Sequence, residues 1–430
     1  MIKSISVSKL FGRFDYNINT KDDGVTIITG PNGFGKSTIL KIINALSNGN
    51  ILYFLQLDFL SIIIEFDNNE KINIKKQDNF ISFKNIKIDL SKMISENEIC
   101  EDYFRFSPYI SRYSKNIYID RRNGNRILED ELAQYIFFDD DSSLELFRGI
   151  NKSNQFKLRE LFCDIKNWSG EVRLISEQRL LKKENKRRDE EQVIEVISEL
   201  PEKLKAEINT VYSEYSKVAN TLDGSYPKRL FSAKDGIKDQ LEFSQKLEEI
   251  NEKFNKLNEY KLVDMALIEN TSLDTKFSEA LKIYFDDFSQ KYAVFEGLIK
   301  KMDLFTQIIN ERLTFKKIVI SRQFGFEIVD EDNPNRKLKL SQLSSGEKQE
   351  IVLFYDLIFN TKSELLLLID EPEISLHITW QKRFMDDLLK VVQDNDLQII
   401  VATHSPQIIS NHWDIQIDLG EEYGKQFDKR

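Results

Sequence analysis

The stretch "GVTIITGPNGFGKST", residues 24–38, decides the fold. Its first half, "VTIIT", is a compact apolar run of the kind that a parallel strand buried on both faces requires. Its second half, "GPNGFGKST" at residues 30–38, fits the spacing G-x-x-x-x-G-K-[ST] of a phosphate loop. Gly30, Gly33 and Gly35, with Pro31, Asn32 and Phe34 between them, let the backbone wrap closely around an anion. Successive N–H groups and a helix N-terminus then face the charge. Lys36 would reach the β- and γ-phosphates of a nucleotide, and Ser37, next to Thr38, would ligate Mg²⁺. The helix that follows, "KSTILKIINALSNGN", stops at Asn48 and Gly49. Strand, glycine loop and helix in this order predict an α/β phosphate-loop domain.

Three further runs supply the rest of the chemistry. In "ELLLLIDEPE", residues 364–373, five apolar residues precede the acids, as in a buried parallel strand that delivers carboxylates at its C-terminal end. Asp370 would hold the magnesium, directly or through water, and Glu371 would orient and polarise an attacking water. "QIIVATHSPQII", residues 398–409, is another buried strand, and it ends in His404, placed to bond a γ-phosphate or that water. All three histidines, His377, His404 and His412, fall in the last fifth of the chain, around the carboxylate strand. In "LSQLSSGEKQE", residues 340–350, Ser344, Ser345 and Gly346 open a helix. Their hydroxyl and N–H groups suit a phosphate, and "SSGE" reads equally well as an ordinary capping box.

The remaining chain fills in around these motifs. "ISVSKL" and "DYNINT" alternate as short strands, and residues 62–89 are β-rich, with "DNNE" and "QDN" as hairpin turns. A small antiparallel layer beside the parallel sheet is expected. Residues 90–170 give no clear pattern. "EVRLISEQRL", residues 171–180, gives one more strand, after which "LKKENKRRDEE" reads as the start of a helical insertion. Val193, Ile197, Leu200, Leu204, Ile208, Val211, Tyr215, Val218 and Leu222 mark one helix face, with Pro201 starting or kinking it. Phe277, Leu281, Tyr284, Phe288, Phe295, Met302, Phe305 and Ile309 mark another. "KIVISRQFGFEIVD", residues 317–330, reads as a strand, turn and strand that return the chain to the sheet.

Composition limits the function. A 430-residue chain with 41% hydrophobic and 31% charged residues can build a substantial core. A net charge of -10 argues against coating nucleic acid or an acidic membrane, since such binding depends on Lys and Arg neutralising phosphates. The one dense basic run, residues 179–188, is read as a solvated helix start balanced by "DEE" or as a local contact for nucleic acid or an acidic partner. Cys100 and Cys163 have neither disulfide nor zinc spacing. With no secretory h-region and no long apolar run, the expected home is the cytoplasm and no membrane partner is expected.

Taken in order, "GPNGFGKST", "LSSGEKQ" (residues 343–349), "LLLLIDEPE", "SLH" (residues 375–377) and "ATHSP" resemble the ABC-type ATPases of the SMC and RecF group. The resemblance implies an ATPase head with a mostly parallel sheet, helices on both faces, an antiparallel β subdomain and a helical insertion. Residues 1–180 would form the N-terminal part of the head, 181–313 a helical arm, and 314–430 the C-terminal part. It implies ATP and Mg²⁺ as cofactors and a catalytic set of Lys36, Glu371 and His404. It also implies a head-to-tail homodimer or higher oligomer, in which Ser344, Ser345 and Gly346 of one copy cap the γ-phosphate held on the other. A magnesium-sensing Gln is implied at the root of the insertion, as Gln178 with Gln56 the rival, and Ser375 would couple the two sites. Arg13 and Phe14 are candidates for the adenine pocket or for packing.

"DEPEISLHITWQKRF" and "ATHSPQIISNHWDI" are further similar to the stand-alone ATPases of bacterial two-component anti-phage systems, of the Septu, PARIS and retron-associated type, which are related to the OLD nucleases. Sixteen residues follow Asp414, and all three histidines lie in or beside the ATPase motifs. The expectation is therefore that any cutting belongs to a separate effector nuclease, with this chain as sensor and scaffold. The alternatives are a RecF-like DNA-repair ATPase and an ATP-binding scaffold with little turnover.

Overall fold

"VTIIT" forms a strand, Val25–Thr29, in which all five residues are buried. It belongs to a wholly parallel sheet whose strands run in the spatial order Glu171–Ile175, Leu365–Asp370, Leu397–Ala402, Val25–Thr29, Gln416–Asp418. Leu365–Asp370 and Leu397–Ala402 are also buried throughout, as continuous apolar runs must be when both faces are covered. The computed structural model describes residues 1–21, 24–78, 80–89, 110–114, 117–120, 126–128, 152–175, 181–186, 190–264, 268, 272–360, 365–374, 376–393 and 397–424. The chain divides into two compact units. The first comprises Met1–Gln178, Lys183–Gln192 and Thr361–Arg430; the second comprises Arg179–Lys182 and Val193–Asn360.

In the first unit the expected antiparallel layer is a six-stranded sheet: Phe14–Asn19, Ile2–Leu10, Ser61–Phe66, Lys71–Gln77, Phe80–Phe83, Ile86–Asp89. Its inward residues alternate with outward ones, so Ile62, Ile64 and Phe66 of one strand are buried while their neighbours are half-exposed. Helix Lys36–Ser47 contributes Ile39, Ile42, Ile43 and Leu46 to a core shared with Leu366, Leu368 and Ile400 of the parallel sheet and Ile5, Ile62 and Ile72 of the antiparallel one. Each such side chain contributes roughly 1.5–3 kcal/mol by burial. The helix ends as the sequence indicates, with Asn48 as C-cap and Gly49 at φ +69°. A second helix on this core, Lys152–Ser169, buries Leu158, Leu161, Phe162 and Ile165. Gln398 binds Ile2 twice, accepting from its N–H at 2.9 Å and donating to its carbonyl at 2.6 Å.

The second unit holds three long helices, Leu200–Ser232, Gln240–Glu259 and Ser278–Asn310. Arg229 grips the buried Asp287 with both terminal nitrogens, tying the first of these helices to the third. Phe288, Phe295, Met302, Phe305 and Ile309 are buried as their spacing predicts, whereas Phe277 and Tyr284 are exposed. Two sequence readings are corrected here. Leu181–Lys186 and Glu190–Glu195 are strands, so Val193 is not on the helix face, and the helix starts at Leu200 with Pro201 in its first turn. Lys316–Ser321 and Gly325–Asp330 are the expected strand, turn and strand, but with Lys337–Leu338 they form a separate three-stranded antiparallel sheet. Helix Ser345–Phe359 completes the unit.

Candidate functional site

The phosphate loop leaves Val25–Thr29 with Pro31, Asn32 and Gly33 exposed at its rim. Gly35, the residue before helix Lys36–Ser47, sits at φ +87°, and a Cβ there would lie 2.9 Å from Leu10 Cδ2, so only glycine fits. The first turn of the helix has no acidic residue and no side-chain cap, which leaves its N–H groups to an anion in the loop. Lys36 is buried, and its ammonium donates to Gly30 O at 2.9 Å and Pro31 O at 3.4 Å, bridging the loop. The loop is braced from behind. Tyr16 OH donates to Phe34 O at 2.9 Å, and the Phe14 ring packs on Tyr16, Phe34 and Tyr423, with centroids 5.7, 5.0 and 5.1 Å apart. Burial pushes the Tyr16 hydroxyl well above the usual phenol range, so it remains a donor. Phe14 thus packs against the back of the loop, and Arg13 is exposed.

The two acids at the end of Leu365–Asp370, Asp370 and Glu371, point to different partners. Asp370, buried at the strand end, accepts from Ser37 Oγ at 2.8 Å, so the two residues assigned to magnesium are already together. Glu371 turns the chain sharply: its φ is +46°, and its N–H bonds Ala402 O at 2.8 Å. The intervening strand Leu397–Ala402 then delivers His404, whose Nδ1 lies 3.0 Å from Glu371 Oε2 and 3.2 Å from Glu373 Oε1. Glu373, absent from the sequence-based set, fastens the histidine turn. Its Oε1 accepts from Thr403 Oγ1, His404 N and Ser405 N at 2.6, 3.0 and 3.2 Å. The other histidines lie elsewhere. His377 bonds Thr379 Oγ1 at 2.8 Å, and His412 bonds Asp386 at 2.9 Å. An open cleft lined by Gly30, Pro31, Asn32, His404, Trp413 and Asp418 adjoins the loop. Asp418 accepts from Thr29 Oγ1 at 3.0 Å and from Gly420 N at 2.7 Å.

In the second unit Ser344 is the N-cap of Ser345–Phe359 and forms a full capping box with Glu347. Lys316 donates to both Glu347 oxygens at 2.8 and 3.0 Å. Burial raises the Glu347 pKa, but Lys316 and the Ser344 N–H outweigh it and hold the carboxyl below its usual range. Ser344 and Ser345 are exposed and Gly346 half-exposed, so this helix N-terminus is open to a ligand. Gln178 and Ser375 lie outside the described residues, as do the side chains of 179–188; the rival Gln56 ends a helix, Ile51–Gln56.

A glycine cradle with a bridging lysine, a serine–aspartate pair and a carboxylate–histidine pair fit a nucleoside triphosphate with its divalent cation, as in a phosphate-loop ATPase. The chain belongs to the AAA ATPase domain family, which matches residues 1–409. No curated protein matches the chain. Among solved structures, the chain is similar to the SmcHead bound to the C-winged helix domain of ScpA, at 12% identity and TM-score 0.39, covering 95% of this chain and 91% of that one. It is also similar to an Smc head domain with an extended coiled coil bound to the C-terminal domain of ScpA derived from Pyrococcus furiosus, at 14% identity and TM-score 0.36, with the same coverage. Among the described residues no helix is long and apolar enough to cross a membrane.

Proposed function

We propose that the chain is an ATP-hydrolysing switch that works as a head-to-tail pair and acts, in an anti-phage system, as the sensor and scaffold for a separate effector nuclease. The observation that carries hydrolysis is the pairing of Ser37 with Asp370 in the same strand layer as Glu371 and His404. Lys36 and the loop N–H groups would hold the phosphates, and Ser37 and Asp370 would hold a magnesium ion, which would neutralise phosphate charge. Glu371 accepts a proton from the attacking water, and His404 orients that water or the γ-phosphate. The exposed Ser344, Ser345 and Gly346 of a second copy cap the γ-phosphate, so assembly precedes turnover. The defence role is supported by the sequence resemblance of "DEPEISLHITWQKRF" and "ATHSPQIISNHWDI".

The test is Glu371→Gln, followed by light scattering with and without Mg·ATP and by phosphate release. ATP binding intact, hydrolysis abolished and a pair trapped by ATP is the expected result; wild-type turnover in the variant would refute the assignment. Co-purification from the native host tests the effector: capture of a nuclease supports the role, and ATP-stimulated, salt-sensitive DNA binding without one favours DNA repair instead.

A further inference from the structure

Glu373 lies two residues past Glu371 and has no part in the reaction as described above. Its side chain is nearly inaccessible, and a carboxylate so placed is costly unless its oxygens are engaged. One of them is. Oε1 collects the Thr403 hydroxyl and the N–H groups of His404 and Ser405, and lies 3.2 Å from His404 Nδ1, while Oε2 is buried without a hydrogen bond. The turn is also held from the other side: Ser405 Oγ donates to Gln381 Oε1 at 2.8 Å, and Gln381 Nε2 donates to Leu376 O at 3.0 Å. Glu371 is held differently. Its backbone is pinned to Ala402, but its carboxylate is 20% exposed and, among the described residues, its partner is His404.

His404 Nδ1 therefore faces two carboxylates of unequal freedom, at 3.0 and 3.2 Å. Two carboxylate oxygens this close to one ring nitrogen favour hydrogen on it, which leaves Nε2 for another partner. We infer that Glu373 is a positioning residue: the fixed acceptor that keeps Nδ1–H and the 403–405 turn in place when Glu371 leaves the imidazole for water. This rests on the reading that Glu371 and His404 serve hydrolysis. Glu371 is then the exchangeable partner and Glu373 the permanent one.

The test uses the full chain with Glu373→Gln, which keeps a carbonyl oxygen for the three donors but removes the charge and puts an amide nitrogen into the site. Long-range ¹⁵N histidine spectra, assigned with His404→Ala, read the tautomer without any turnover. The Nδ1–H pattern of His404 is expected in the wild type and in Glu371→Gln, and its loss is expected in Glu373→Gln. In phosphate release, kcat should fall about 10–100-fold, the range for removing such supporting partners, with KM changed less than about twofold. Glu373→Gln combined with His404→Ala should be no slower than His404→Ala alone, which a merely structural loss elsewhere would not produce. An unchanged His404 pattern, or single losses that multiply in the double variant, overturns the inference. If Glu373→Gln does not fold, Glu373→Asp, which withdraws the charge by one methylene, must weaken the same pattern and lower kcat, and wild-type behaviour overturns the inference as surely. A wild-type chain without ATPase activity removes the reading above, while the spectra still decide whether Glu373 holds His404.

Discussion

Ser37 Oγ donates a 2.8 Å hydrogen bond to Asp370 Oδ1 across 333 residues of sequence. The bond joins the first turn of the phosphate-loop helix to the end of the strand two places away in the sheet, so the two residues proposed to hold the cation lie side by side. Asp370→Asn keeps an acceptor for Ser37 but loses the charge. It should abolish most of the gain in ATP affinity that Mg²⁺ supplies, by at least about tenfold or 1.4 kcal/mol. Calorimetric titration of ATP with Mg²⁺ and with EDTA checks this; equal magnesium dependence in variant and wild type would remove Asp370 from the site.

Glu371 holds a left-handed backbone at φ +46°, a conformation that costs a non-glycine residue about 1–3 kcal/mol. Glu371→Gly should be about 1 kcal/mol more stable than Glu371→Ala, which loses the same carboxylate contact with His404 but keeps the strain, while phosphate release disappears in both. A thermal midpoint for Glu371→Gly no higher than that of Glu371→Ala would show that the turn carries no such strain.

Lys36→Ala and Ser345→Arg should each be inactive alone, one lacking the phosphate cradle and the other the cap. Mixed, they can form a pair with one competent site, so the mixture should recover a fraction of wild-type phosphate release. An inactive mixture of well-folded chains would place the cap and the cradle in the same copy.

Lys316 and Glu347 give the second unit a pH-dependent component of stability. Glu347 has a lowered folded pKa, so its contribution is present above the ordinary carboxyl value of 4.5 and is lost as the pH falls through the lower folded value. Lys316→Met should therefore lower the melting temperature at pH 7, and the gap to the wild type should close in acid. A gap that stays constant from pH 7 to pH 3 would assign the effect to packing of the lysine stem instead.

Much of this was legible because it is local. The phosphate loop, the carboxylate strand and the capping box are short runs whose chemistry depends on residues within a few positions of one another. Helix Lys152–Ser169 was legible in principle: Leu158, Leu161, Phe162 and Ile165 stand at helical spacing, and a search by period through residues 152–169 finds them. Leu181–Lys186 hid behind its composition, since "LKKENK" has little to mark a strand and is fixed by its partner, Glu190–Glu195. Glu373 was hidden for another reason. Its donors lie thirty residues away, and nothing in "DEPE" says which acid turns inward.

The parallel sheet takes its five strands from residues 25–29, 171–175, 365–370, 397–402 and 416–418. The phosphate loop is thus separated from Asp370, Glu371 and His404 by more than three hundred residues of sequence. Contacts of such sequence separation form slowly. The carboxylate proposed to act on water therefore joins the phosphate cradle only as the sheet closes, and the site forms with the fold rather than ahead of it.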